Sequence, residues 1–281
     1  MILQGNVYST ALDMETTVCF VAANNFSKEP PRKVCYLLHG LQGRADNFIN
    51  YTMLADWCRS YHVLFVLPDG QRSYYTDMVR GQKFFTYLTQ DLPHIVRDVF
   101  RVSAAPEDTY IMGTSMGGYG ALKAALTAHG YTLVGDEPLK VTLATKGYGY
   151  RGDAVAAYLE EQGMVCEFAD PDYCVMMFST AHTAADFDRV ERALCALSRA
   201  AALTDAPPSL TPPVVAMSPR RALFAPAETL PVADCIGRVL ASPTVGCPPA
   251  VPVLVGGEVV DQAAARVFAY YGYGTLRVVK E

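Results

Sequence analysis

The stretch GTSMGGYG, residues 113–120, constrains this chain more than any other. A serine set between glycines in a G-x-S-x-G turn needs a strand before it and a helix after it. Gly113 and Gly117 let those two elements approach without side-chain collision, leaving Ser115 exposed on a tight elbow. DTYIMG (108–113) reads as the buried strand and MGGYGALKAALTA (116–128) as the helix. The competing reading is a glycine-rich turn that only packs a helix on a sheet. Against it stands LLHGLQG (37–43), whose His39 and Gly40 follow another strand pattern. In that arrangement the backbone N–H groups of Leu41 and Met116 face one oxyanion, the second at a helix start whose dipole favours negative charge.

The surroundings fit an α/β chain. KVCYLLH (33–39) and HVLFVLP (62–68) are short apolar runs ending in turn residues, as in buried strands of a largely parallel sheet. Between them DNFINYTMLADWCRSY (46–61) carries helical spacing, with Asp46 as its N-cap candidate. KFFTYLTQDLPHIVRDVF (83–100) is helical too, and its Pro93 must begin a helix or kink one.

Composition narrows the function classes. With 281 residues the chain has room for one large domain or two smaller ones, and 51% hydrophobic against 18% charged residues is the balance of a packed globular protein. A net charge of -5 offers no basic surface to nucleic acid. Asp13 and Glu15 interrupt a start that has no basic n-region, so no secretory signal is expected, and no segment is long and apolar enough to span a bilayer. The eight cysteines (19, 35, 58, 166, 174, 195, 235, 247) form no C-x-x-C pair and no metal spacing. They are expected to be packing thiols of a cytoplasmic protein.

Past residue 129 the pattern changes. LKVTLAT, MVCEFAD and CVMMFST read as strands, while DAVAAYLEEQG, closed by Gly163, and AADFDRVERALCAL read as helices. TDAPPSLTPP (204–213) is the most linker-like piece; MSPRRALF, a proline cluster at CPPAVPVLV and a final helix–strand pair follow. The expected organisation is 1–129, 130–203, a linker at 204–213, and 214–281.

LLHGLQGRADNF, VLPDGQRSYYTD, YLTQDLPHIVRDVF and GTSMGGYGALKAAL together resemble the tributyrin esterase branch of the esterase D and S-formylglutathione hydrolase group, from near residue 1 to about 128. The resemblance implies a partial α/β-hydrolase sheet and hydrolysis of short acyl esters through an acyl-enzyme. It makes Ser115 the nucleophile, Leu41 and Met116 the oxyanion donors, and His39, Gly40, Tyr75 and Asp77 the substrate-binding rim.

Such a serine needs a base and an acid, which in this fold follow it in the order Asp, His. Only His129 and His182 come later. His129 ends the helix that begins at the serine, roughly 20 Å away along its axis. Asp170 and His182 end successive strands, but the short turn between those strands makes them antiparallel and sets the two residues roughly 17–20 Å apart. Asp170 and His182 are therefore weak triad candidates, and a weak or inactive hydrolase is expected.

Residues 131–278, from GDEPLKVTLATKGYGYRGDAV through MSPRRALFAPAETL to VPVLVGGEVVD, resemble the C-terminal part of the Orn/Lys/Arg decarboxylase family. Complete members are fold-type I enzymes that hold pyridoxal phosphate on a lysine following a histidine. No His-Lys pair occurs here, so no cofactor is expected, and Lys140 and Lys146 read as solvated. The chain thus resembles the front of an esterase joined, near 126–132, to a small α/β decarboxylase-like region. A sheet cut after its central strand leaves an apolar edge that invites pairing, including self-association. The alternatives are a decarboxylase-type assembly module and a joining of two genes without selected activity.

Overall fold

A computed structural model describes residues 1–23, 33–58, 61–179, 181–243 and 252–280. The fold is mixed α/β, and its contacts divide it into two units. The first comprises Met1–Leu143, Glu161–Met164 and Met176–Arg199; the second comprises Ala144–Glu160, Val165–Val175 and Ala200–Glu281. Cys247 and the start of the proline cluster CPPAVPVLV lie outside the described residues, as do Arg59 and Ser60.

The first unit is built on a five-stranded sheet of order β1-β2-β4-β3-β5, with β1 (Ile2–Ser9), β2 (Met14–Val21), β3 (Lys33–Leu38), β4 (Val63–Pro68) and β5 (Thr109–Gly113). β3 runs parallel to both β4 and β5, while β1, β2 and β4 pair antiparallel. The nearly continuous apolar sequence of β3 is explained by burial on both faces. Val34, Tyr36 and Leu38 join a core with Leu64, Val66, Tyr87 and Leu92. Leu37 turns the other way, towards Val21, Leu54 and Leu67.

The single helix expected over 46–61 is two short ones, α1 (Asn47–Tyr51) and α2 (Leu54–Trp57). Thr52 breaks it: its backbone is extended, its hydroxyl donates to Phe48 O, and the same oxygen accepts Leu54 N–H at 3.2 Å. Asp46 makes no side-chain cap and lies 3.7 Å from Arg44 instead. Pro93 has the expected effect on α3 (Phe84–Thr86) and α4 (Leu92–Phe100), which are joined by a π-helical turn, Tyr87–Asp91. A proline has no N–H to continue the regular ladder, and a wider turn absorbs the gap.

β5 ends the sheet. On this edge Tyr110 and Met112 are 43% and 57% exposed. Beside it lies an apolar groove of about 670 Å³ lined by Leu37, Phe48, Trp57, Phe65, Tyr110 and Met112. After β5 come α5 (Met116–Ala128), β6 (Thr132–Val134) and β7 (Lys140–Ala144).

Next come α6 (Gly152–Glu161) and the hairpin of β8 (Phe168–Ala169) with β9 (Tyr173–Met177), antiparallel as the short turn requires; the second unit holds them as far as Glu160 and Val175. α7 (Ala184–Ala196) returns to the first unit, where a capping box of Thr183 and Asp186 opens it and Phe187 packs against Gly118. In the second unit, 204–213 lies in no helix or strand, but Thr211 bonds Asp261 at 2.7 Å. α8 (Pro219–Phe224), capped by Ser218, leads to β10 (Ala227–Pro231); α9 (Gln262–Tyr270) leads to β11 (Thr275–Val279), which pairs with β10. Leu240, Leu254, Val260, Phe268, Leu276 and Val278 form the core there. Among the described residues no helix is long and apolar enough to cross a membrane.

Candidate active site

The elbow between β5 and α5 is under backbone strain. Ser115 sits at φ 53°, ψ -119°, outside the regions that non-glycine residues populate. The close packing around it leaves no room for relaxation. A Cβ on Gly113 would lie 2.3 Å from Gly117 C, and one on Gly117 would lie 2.2 Å from Leu38 O. Both glycines are therefore required by the approach of backbone to backbone.

Gly40 lies against the serine: a Cβ placed on it would be 3.5 Å from Ser115 Cβ. Its carbonyl accepts twice, from Gly43 N–H at 2.8 Å and from the imidazole of His39, Nδ1 to O, at 2.7 Å. Because a trans peptide sets C=O and N–H in opposite directions, holding Gly40 C=O fixes the direction of Leu41 N–H. Among the described residues no acceptor takes that N–H. The N–H of Met116, first residue of α5, is one of the donors a helix start leaves without an intrahelical partner.

The other residues expected at the substrate rim, His39, Tyr75 and Asp77, each have internal hydrogen-bond partners. His39 is 1% exposed, and its Nε2 accepts Gly70 N–H at 2.9 Å, so its Nδ1 bears the proton donated to Gly40. Tyr75 is buried, its hydroxyl donating to His39 O at 3.4 Å, and burial pushes its phenol above the usual range. Asp77 accepts the N–H groups of Phe85 and Thr86 at 2.8 and 2.9 Å and the Thr86 hydroxyl at 2.6 Å. These three side chains hold the loops that frame the elbow, because each polar group has an internal partner that outcompetes solvent.

Sequence reasoning missed Lys123. It lies on α5, is 6% exposed, and its Nζ donates to Thr76 Oγ1 at 3.1 Å and Tyr75 O at 3.4 Å over the rings of Phe85 and Tyr119. Burial pulls its pKa down to about 8. The available signal was a lysine within the alanine-rich helix GALKAALTA, one turn after Tyr119.

The later candidates are held by other partners. His129 follows α5 and stacks on Tyr131. His182 is exposed; its Nδ1 accepts Ser179 N–H at 3.0 Å, with its ring edge-on to Phe178. A triad histidine gives its Nδ1–H to a carboxylate, whereas here Nδ1 is an acceptor. Asp170 belongs to the second unit and accepts Asp172 N–H and Tyr173 N–H at 2.8 and 2.7 Å, holding the hairpin turn.

Residues 9–133 match the Esterase family model. An acetyl esterase of Caldicellulosiruptor saccharolyticus is 31% identical over 134 residues, 44% of this chain and 50% of that protein. The esterase-like match thus covers the elbow, the Gly40 loop and Lys123. An arginine decarboxylase of Bacillus subtilis is 26% identical over 133 residues, 45% of this chain and 27% of that protein. The chain therefore spans half the length of the esterase and about a quarter of the decarboxylase. Among solved structures, the fluorophosphonate-binding serine hydrolase F of Staphylococcus aureus is 26% identical, covering 46% of this chain and 52% of that one at a TM-score of 0.43.

The decarboxylase likeness raises the question of pyridoxal phosphate, and the lysines of that region do not fit it. Lys146 Nζ bonds Asp172 at 2.9 Å, Asp205 at 2.8 Å and the Tyr270 hydroxyl, and these partners raise its pKa despite the desolvation that opposes them. A lysine held protonated has no lone pair for a Schiff base. Lys140 pairs with Glu137 at 2.9 Å. The sequence reading of Lys146 as a solvated lysine gives way to a paired one, because Asp172, Asp205 and Tyr270 converge on it from three separate segments.

Proposed function

We propose that Ser115 accepts a short acyl group from an ester and releases it slowly. The observation that carries this reading is the strained Ser115 backbone, wedged between Gly113, Gly117 and Leu38, with the Gly40–Leu41 peptide alongside. Strain of this kind persists only where surrounding structure over-determines it, and it presents Oγ clear of the sheet. Attack of Oγ on an ester carbonyl forms a tetrahedral oxyanion, with Leu41 N–H and Met116 N–H as its donors. Collapse expels the alcohol and leaves an acyl-serine. Support for a short acyl group comes from the similarity to an acetyl esterase.

Slow turnover follows from the histidines. His39 is committed to the Gly40 loop and His182 to Ser179, so proton removal falls to water. Oxyanion stabilisation and binding without a working relay still give about 10³–10⁴-fold over water in serine hydrolases. The chain is therefore expected to become labelled by an activated ester such as p-nitrophenyl acetate, with the acetyl group on Ser115 in a peptide map. Ser115→Ala is expected to abolish that adduct, while His182→Ala leaves the acylation rate within about twofold. An unchanged rate in Ser115→Ala would sink the reading.

A further inference from the structure

In the second unit two thiols lie together: Cys166 Sγ and Cys174 Sγ are 3.5 Å apart across the β8–β9 hairpin, with Cys174 donating. Cys174 is fully buried, whereas Cys166 is partly exposed and lines a cavity of about 230 Å³ with Asp153, Ala157 and Glu160 of α6 and Phe168 of β8. Their environments differ in the way that a nucleophile and its resolving partner require. The hydrogen bond from Cys174 holds the Cys166 thiol below the ordinary range, while the same bond and burial push Cys174 above it. Burial moves the thiols of Cys19, Cys35, Cys58, Cys195 and Cys235 upward instead, as expected for packing residues.

We propose that Cys166 and Cys174 are a reactive dithiol that exchanges with small disulfides through this cavity and closes to a disulfide across the hairpin. The Cys166 thiolate attacks one sulfur of the reagent, RSSR; that S–S bond breaks, and RS⁻ leaves to take up a proton from solvent. Cys174 then loses its proton and attacks Cys166 Sγ, displacing the second RS⁻. One RSSR is reduced to two RSH, and the protein gives up two electrons and two protons. Closing Sγ···Sγ from 3.5 Å to a bonded length of about 2.05 Å is a movement of about 1.5 Å, within reach of side-chain rotation.

The cavity wall selects the reagent. Asp153 is balanced by Arg151 at 2.7 Å, while Glu160 is a negative charge that acts on Cys166. A cationic disulfide is favoured there over an anionic one. The test is a thiol count and peptide map of the full reduced chain after exposure to cystamine or oxidised glutathione. Cystamine is expected to remove two of the eight thiols, with the loss of two hydrogens mapped to Cys166 and Cys174, and to react several-fold faster than glutathione disulfide. Glu160→Gln is expected to narrow that preference, and Cys174→Ala to stop at a mixed disulfide on Cys166. Retention of all eight thiols, a mixed disulfide that persists on Cys166 in the unaltered chain, or oxidation of other cysteines would overturn the proposal. The map of the unaltered chain decides this even where the Cys174 variant fails to fold.

Discussion

Ser115 and its neighbours define what single residues contribute to the elbow. Gly117 adjoins a carbonyl that cannot rotate away, so Gly117→Ala is expected to cost on the order of 3 kcal/mol, read as a lower urea midpoint at constant slope. His39 acts through Gly40: His39→Gln is expected to lower the rate of Ser115 acetylation by about tenfold or more, with ester affinity nearly unchanged, because a misdirected oxyanion donor matters most in the transition state. Lys123 offers a pH test. Its folded pKa of about 8 lies below the ordinary 10.5, so the unfolded chain binds more protons between those values. The resulting penalty is fully present below pH 8 and is relieved as pH rises towards 10.5. Buried cysteines and tyrosines also titrate in the alkaline range, but they are common to the variant. Relative to the unaltered chain, Lys123→Met is therefore expected to lose stability steadily between pH 7.5 and 9.5 in paired urea titrations; a difference flat with pH would contradict the assigned burial.

At the scale of elements, β3, β4 and α5 were legible because their signals are local: continuous apolar runs, then glycines at the strand–helix junction. DTYIMG is a strand as expected but an exposed one, not a buried one, because β5 has no partner on its outer side among the described residues. The break at Thr52 was not, because a hydroxyl bonding back to Phe48 O leaves no mark in hydrophobic periodicity. Nor did Asp77 betray its capping role, since its partners Phe85 and Thr86 lie eight and nine residues on. The strand expected over MVCEFAD shrinks to Phe168–Ala169, where the tight Asp170 turn leaves little room for pairing. The exposed β5 edge was anticipated from the order of elements alone. Its groove runs along one face of the sheet, from Lys33 and Val63 at the strand starts to Leu37 and Met112 near the strand ends. Its lining includes neither Ser115 nor Gly40, and it is exposed apolar surface. Met112→Lys is expected to lower binding of an apolar fluorescent dye and self-association seen by sedimentation, while Ser115 labelling persists; unchanged dye binding would place the apolar surface elsewhere.

Across the whole molecule, the compact units do not cut the chain at one point. Met176–Arg199 joins the first unit and carries His182 with it. A linear reading cannot foresee that return, since it depends on Phe187 meeting Gly118 across a long sequence separation. The Lys146 network shows the same limit: its partners are Asp172, Asp205 and Tyr270, and nothing in TKGYGYRG announces them. Lys146→Met is expected to lower the urea midpoint of the chain, because two carboxylates lose their shared cation.

The central claim is that Ser115 is a presented nucleophile with oxyanion donors and no histidine delivered to it. Intact-mass and peptide mapping during reaction with p-nitrophenyl acetate tests it most directly. The account predicts one acetyl group, on Ser115, that accumulates to near one per chain and clears slowly; rapid turnover without accumulation, or acetylation that survives Ser115→Ala, would contradict it.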